Sequence, residues 1–176
     1  MGTRIFKITR SASLLLALFS LSCVLQPLPE TSFEPDWVLA GSGAARTEQG
    51  RVFYGVGVAS GLQSRLLLRA TADNQAREEL AKVIDRFIGA LAFDQQGGSE
   101  SHGGPVSFHS LIQTALRDAT VVDHWTDTRD GRLYALCRLG LTSVKEHLAR
   151  DRDLEMALRN AMLSRADQVH DQMIRR

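Results

Sequence analysis

The sequence is poor in several features that would point directly to a function. It contains only two cysteines and four prolines, aromatic residues make up 6% of the chain, and the formal net charge is +1. A near-neutral balance gives no electrostatic case for binding nucleic acid or an anionic membrane surface. The apolar run near the start, at residues 12–22, is too short to span a bilayer, which needs about 20 apolar residues.

An N-terminal export signal is what the sequence does contain. Three basic residues lie within the first ten positions, a short apolar run follows, and small residues lead to Cys23. This order is typical of a secretory signal peptide. A cysteine at the cut resembles the lipobox of bacterial lipoproteins, whose thiol is acylated and becomes the new N-terminus. We therefore predict a signal peptide over residues 1–22 and lipidation of Cys23 by palmitate-type chains.

The cut site also allows a second interpretation. Ser20 stands where the lipobox prefers Leu, and Ser20 together with Ser22 satisfies the small-x-small rule for ordinary signal-peptidase cleavage. Such cleavage would give a soluble periplasmic protein. Val24 occupies the place where Asp usually retains a lipoprotein in the inner membrane. The first interpretation therefore places the protein at the outer membrane, on its periplasmic side, with the lipid anchor as its membrane contact.

The exported part divides into a tether and one domain. Pro27, Pro29 and Pro35 all lie shortly after the cysteine, and proline stiffens a chain towards an extended form of about 3.1 Å per residue. We predict that residues 23–36 are the anchor cysteine and a Pro-rich tether. Residues 37–176 are predicted to form a single domain.

Hydrophobic periodicity predicts one strand and two helices in the first part of that domain. The run at 51–59 is β-branched and aromatic, which is typical of a strand. Apolar residues then recur every three or four positions from Leu68 to Leu91, as on one side of a long helix. A polar, Gly-rich loop is predicted at 94–105. A second helix, capped by Ser107, follows it.

The rest of the chain predicts a hairpin and a long helix. Two strand-like runs, 120–127 and 133–141, flank Asp-Gly at 130–131, a strong hairpin signal. Residues 143–146 match a capping box that would open a final helix running to about residue 172. The predicted order is β-α-α-β-β-α. We expect an α+β fold with a small antiparallel sheet of about three strands, helices packed on one face, and a long C-terminal helix.

Several segments together resemble the LPP20 family of bacterial lipoproteins. They are Pro35-Asp36-Trp37-Val38, Tyr54-Gly55-Val56-Gly57, the Ala-rich helix at 70–81, and Val122-Asp123-His124-Trp125 leading to Leu133-Tyr134-Ala135-Leu136. The resemblance implies an exported, outer-membrane-associated protein with no known chemistry. Some relatives look like flagellar outer-membrane lipoproteins, so it also implies a role in envelope or flagellar-type assembly.

Two small motifs have both a chemical and a structural interpretation. Gly55-x-Gly57-x-x-x-Gly61 superficially suits a dinucleotide phosphate loop, but no parallel βαβ unit surrounds it. The alternative is that these glycines relieve crowding against a packed helix. A two-residue turn at 130–131 would place Cys137 opposite His124, the start of a cysteine nucleophile. A buried structural cysteine is the alternative.

The remaining polar residues give no cofactor or metal signature. The five histidines are scattered, without the helical i, i+4 pair and acidic third ligand of a zinc site. Asp123, Trp125 and Asp127 are predicted to alternate onto one strand face. Two carboxylates on a strand are more often solvated or paired than catalytic. We therefore predict no cofactor, no metal and no nucleic-acid partner.

The last helix offers a candidate interaction surface at Met162, Val169 and Met173. Methionines suit an adaptable contact with a partner or with a second copy of the chain. The alternative is that this apolar side completes the core. The sequence as a whole favours a non-enzymatic, lipid-anchored protein that acts through protein–protein contacts. The competing hypothesis is an exported small-ligand binder or a cysteine-dependent enzyme using Cys137 and His124.

Overall fold

The computed structural model describes residues 33–93 and 108–174. The predicted signal peptide, Cys23 and the polar loop at 94–105 therefore lie outside the described residues. Ser32–Arg176 cluster as one compact unit. Within the described ranges, no helix combines the length and the apolar character that crossing a bilayer requires.

The domain is an α+β fold with one four-stranded antiparallel sheet. In chain order its elements are α1 (Asp36–Ala40), β1 (Gly43–Thr47), β2 (Gly50–Ala59), α2 (Arg65–Phe93), α3 (His109–Ala115) with a 3₁₀ turn (Leu116–Asp118), β3 (Thr120–Thr126), β4 (Leu133–Gly140), α4 (Leu141–Arg150) and α5 (Met156–Ile174). The strand order is β1-β2-β4-β3. The predicted fold class, an antiparallel sheet packed by helices with a long C-terminal helix, is confirmed.

The first hairpin was not predicted. β1 pairs with β2 through a tight turn that ends at Gly50, whose φ of 109° suits glycine. The sequence of β1 is Gly-Ala-Ala-Arg-Thr, which lacks the β-branched and aromatic residues that mark a strand. Pairing with β2 therefore makes this segment a strand, against its own weak propensity.

One face of the sheet carries the core. Phe53, Gly55 and Gly57 of β2 point to this face together with their β4 partners, because directly paired residues of antiparallel strands lie on the same side. The buried core then continues into α2, α3, α4 and α5. Phe53 and Phe87 are fully buried at its centre, with ring centroids 4.9 Å apart. The position of α2, α3, α4 and α5 on a single face agrees with the predicted arrangement.

The C-terminal helix is divided, which corrects the prediction of one continuous helix from the capping box at 143–146. α4 begins at Leu141 after Gly140, with no side-chain cap, and ends at Arg150. At the break, the Asp151 carboxylate accepts hydrogen bonds from the backbone N–H groups of Asp153 and Leu154. This Asx-type turn redirects the chain, and α5 starts again at Met156.

Candidate functional site

The glycines of the candidate phosphate loop are packing residues. A Cβ on Gly55 would overlap the carbonyl oxygen of Ala76 and the backbone nitrogen of Leu80, and a Cβ on Gly57 would overlap the carbonyl oxygen of Ala72. Backbone of α2 therefore occupies the space above both glycines. The alternative interpretation, relief of crowding against a packed helix, is confirmed.

The predicted pairing of Cys137 with His124 is wrong. The β3–β4 connection is longer than two residues: the N–H of Asp127 donates to the carbonyl of Arg132, and Thr126 pairs with Leu133. This register places His124 opposite Ala135. A bulge near Val121 then shifts the pairing again and leaves Cys137 opposite Val121. The longer turn therefore removes the dyad.

Cys137 has the surroundings of a structural cysteine. Its side chain is fully buried in the core and faces Gly55 of β2. Burial raises the pKa of the thiol above its ordinary value of 9.0. A nucleophilic cysteine needs the opposite shift, because the thiolate is the reactive form. The alternative of a buried structural cysteine is therefore confirmed.

His124 instead contacts the long helix. Its Nε2 lies 2.5 Å from Oδ1 of Asp73 on α2, and both side chains are about one-fifth exposed. The pair connects the edge strand β3 to the helix face. Without a nucleophile in the pair, this contact serves to hold β3 against α2.

A serine, a histidine and an aspartate do meet elsewhere, at the start of α4. The Asp118 carboxylate accepts hydrogen bonds from Ser143 Oγ and, at 2.8 Å, from His147 Nε2. These bonds lower the pKa of Asp118, the Ser143 bond having the larger effect. In a catalytic triad the imidazole stands between the other two groups. Here the carboxylate stands between them, so no imidazole is placed to accept the serine proton, and the cluster ties the 3₁₀ turn to α4.

His170 is the one fully buried histidine of the described chain. Its Nε2 donates to the carbonyl oxygen of Val52 at 3.0 Å, and its ring packs edge-on against Phe53. The imidazole thus joins α5 to β2 inside the core. Among the described residues, no three His, Cys, Asp or Glu side chains are grouped closely enough to hold a metal ion.

The candidate interaction surface on the last helix is largely buried, which corrects that prediction. Met162 is fully buried and Val169 is 4% exposed, both within the core cluster, and Met173 packs against it half-buried. The apolar side of the helix therefore completes the core. Val169 and Met173 also line a cavity of about 350 Å³ between β1, α2 and α5, with Arg86 as one of its polar residues.

A second cavity, of about 430 Å³, lies between α3 and the α4–α5 turn. His147, Arg150 and Arg152 are among the residues that line it. Two of these already have acidic partners, since His147 contacts Asp118 and Arg150 pairs with Glu146 at 3.0 Å. The cavity is consequently an open polar groove between surface ion pairs.

The face of the sheet opposite the helices carries a row of half-exposed apolar side chains, which we call the open face. It is formed by Tyr54, Val56, Val58, Trp125 and Tyr134. The Trp125 and Tyr134 rings are directly paired across β3 and β4, with centroids 5.4 Å apart. Partly exposed aromatic rings are among the side chains that most often anchor protein contacts.

The first described segment borders the open face on the β3 side. The indole N–H of Trp37 in α1 donates to the Asp123 carboxylate at 3.0 Å. Asp123 and Trp125 share this face, as their alternation predicted. Asp127, by contrast, lies in the turn, where its carboxylate is buried against the Arg129 guanidinium.

Sequence reasoning singled out the strands that carry the open face, yet it did not identify this surface. The signal was present in β2, where Tyr54, Val56 and Val58 occupy alternate positions, and in the aromatic residues Trp125 and Tyr134 on either side of the predicted turn. Both faces of β2 read as apolar, however, so the pattern alone does not distinguish the covered face from the open one.

Comparison with known proteins leaves the family undetermined. No protein-family model matches this chain, and a search of curated proteins finds no match.

Proposed function

We propose that this chain is a lipid-anchored outer-membrane lipoprotein of LPP20-like type that acts by binding another envelope protein rather than by catalysis. In this proposal, acyl chains on Cys23 hold the protein on the periplasmic side of the membrane. The Pro-rich segment sets the reach, and the open face contacts the partner. An envelope or flagellar-type assembly is the context that the LPP20 resemblance implies.

The open face is the observation that carries the binding role. Its Trp125–Tyr134 pair is half-exposed and lies on a rigid strand pair, so little side-chain entropy is lost when a partner covers it. Aromatic residues that are held by strands and reach the surface are typical interface anchors. The cysteine and glycine motifs, by contrast, are engaged in packing, which favours a binding role over the enzymatic alternative.

The N-terminal pattern supports the anchor. A basic head, a short apolar run and a cysteine precede a Pro-rich stretch, and the compact unit begins at Ser32, within the last part of that stretch. One acyl chain gives only marginal membrane binding, whereas two or more anchor a protein firmly. Multiple acylation of Cys23 would therefore be sufficient to keep the domain at the membrane.

Site-specific photo-crosslinking in cells tests both parts of the proposal. A photoreactive phenylalanine derivative replaces Tyr134, which conserves an aromatic ring on the open face. We expect a discrete adduct with a second envelope protein, and incorporation of labelled palmitate into the chain. Cys23→Ser should abolish the palmitate label and the adduct, because the protein is no longer placed beside its partner.

Two matched controls make this result decisive. Cys137→Ala removes the other cysteine and should leave both signals intact. The same photoreactive residue at Glu78, which is exposed on α2, should give no adduct. Equal adducts from positions 78 and 134, or palmitate labelling that survives Cys23→Ser, would contradict the proposal.

A further inference from the structure

The N-terminal end of α2 projects beyond the sheet. The helix has 29 residues and is therefore about 43 Å long, at 1.5 Å per residue, whereas the ten residues of β2 extend about 33 Å. Its first fully buried residue is Ala72, which packs over Gly57. Residues 65–71 thus precede the close contact between helix and sheet.

This projecting end exposes leucines to an unusual degree. Leu66 is 77% exposed, Leu67 is 58% exposed, and Leu62 in the preceding loop is 42% exposed. Their neighbour Leu68 packs against the core and fixes the rotation of the helix. The exposed leucines therefore cannot turn inward, and three large apolar side chains remain together in solvent.

Two arginines accompany these leucines. Arg65 and Arg69 are one helical turn apart and exposed, and neither makes an ion pair or side-chain hydrogen bond within the described ranges. No acidic residue occurs between positions 60 and 72. Arginines at a helix N-terminus oppose the helix dipole, so helix stability does not account for their position.

We propose that this surface, the α2 tip formed by Leu62, Arg65, Leu66, Leu67 and Arg69, contacts an anionic phospholipid bilayer. Leucines inserted at the interface beside arginines that bind lipid phosphates are the pattern of interfacial membrane helices. The local charge of +2 matches a negative surface. The net charge of the whole chain, +1, does not reveal this basic patch, because acidic residues elsewhere in the sequence offset its charge.

Vesicle co-sedimentation with residues 32–176 tests the α2 tip. This fragment contains the complete core as one compact unit and lacks Cys23, so the result is independent of acylation. We expect binding to phosphatidylcholine vesicles that contain phosphatidylglycerol, weak binding to phosphatidylcholine alone, and release by high salt. Arg65→Gln with Arg69→Gln should weaken binding about 25-fold, since each basic residue near the surface contributes about fivefold.

Matched variants separate the apolar contribution from general effects. Leu66→Ser with Leu67→Ser should weaken binding at least about tenfold. Leu39→Ser is the control, because Leu39 is 73% exposed but lies on α1. Arg117→Gln in the 3₁₀ turn is the corresponding arginine control. Both controls should bind like the unsubstituted fragment, and circular dichroism should show the same helix content in all variants.

Three outcomes would overturn the inference. The first is the absence of any preference for phosphatidylglycerol, and the second is unchanged binding by both α2-tip variants. The third is a dimer, detected by sedimentation, that does not bind vesicles and that Leu66→Ser with Leu67→Ser dissociates; it would assign the surface to a second copy of the chain. None of these outcomes affects the palmitate test of the anchor.

Discussion

At the scale of single residues, the packing of Gly55 and Gly57 against α2 is the most restrictive feature of the domain. Both glycines face helix backbone, at Ala72 and Ala76, and two small residues on each element allow this approach. Backbone atoms cannot move away as a flexible side chain does. The distance between sheet and helix is consequently set by the absence of a Cβ.

Adding one methyl group at either position should therefore be severely destabilising. We expect Gly55→Ala or Gly57→Ala to lower the free energy of unfolding by more than about 3 kcal/mol, at or beyond the usual range for overpacking. Urea unfolding followed by circular dichroism measures this change.

Gly89→Ala provides the control for that prediction. Gly89 lies exposed in α2 with nothing near its missing Cβ. The same substitution should there stabilise the protein by about 0.5–1 kcal/mol, because alanine favours a helix interior over glycine. A small effect at Gly55 and Gly57, similar to that at Gly89, would show that the helix does not pack this closely.

At the scale of elements, an ion cluster joins the first hairpin to the last helix. Arg51 of β2 donates two hydrogen bonds to the Asp171 carboxylate, at 2.9 and 3.0 Å, and Arg46 of β1 adds a third at 2.9 Å. These bonds, with Arg51 the larger contributor, hold the pKa of Asp171 well below its ordinary value of 3.8. β1 is an edge strand of weak propensity, and this cluster fixes it to α5.

The lowered pKa predicts how stability depends on pH. Because the folded state holds the carboxylate ionised, the Asp171 contribution is fully present above the ordinary pKa and is lost as the pH falls below about 4. We expect Asp171→Asn to lower the urea midpoint at neutral pH. The difference from the unsubstituted protein should shrink progressively below pH 4.

Asp85→Asn is the matched control for this measurement. Asp85 is exposed on α2 and makes no ion pair with another described residue. Asp118 and Asp127 also have lowered pKa values, so they too contribute to the loss of stability at acid pH. Only the difference between Asp171→Asn and the unsubstituted protein therefore isolates the contribution of Asp171. A difference that stays constant from neutral to acid pH would refute the assignment.

At the scale of the whole molecule, one core connects every helix from α2 onward to one face of the sheet. Trp37 and Trp125 report on the opposite side, where they border or form the open face. The two sides share the backbone of the same four strands. Loss of the core therefore removes the support of the open face.

Residues 32–176 should accordingly unfold in a single transition. We expect far-ultraviolet circular dichroism, which follows the helices, and tryptophan fluorescence, which follows the open face, to give the same urea midpoint. Fluorescence that changes at a clearly lower urea concentration would mean that the open face loses its structure independently. The binding role proposed for that face would then require a partner to order it.

Strong local patterns in the chain were enough to predict the elements that carry them. The stripe from Leu68 to Leu91 predicted the helix α2, and two strand-like runs on either side of Asp130-Gly131 predicted the hairpin of β3 and β4, so the α+β class followed. The export signal and the acylation of Cys23 remain predictions, because they lie outside the described residues. Periodicity was sufficient to predict a helix or strand where the residues of that segment favour one conformation by themselves.

Strand register, burial and exposure depend on contacts between elements and could not be predicted from local patterns. A longer turn moved His124 away from Cys137, an Asx-type turn at Asp151 divided the last helix, and packing buried Met162 while leaving Leu66 in solvent. Each outcome depends on atoms distant in sequence or on turn geometry that the residue pattern does not encode. Periodicity shows which residues of a helix or strand share a face, whereas the elements packed around it decide which face is covered.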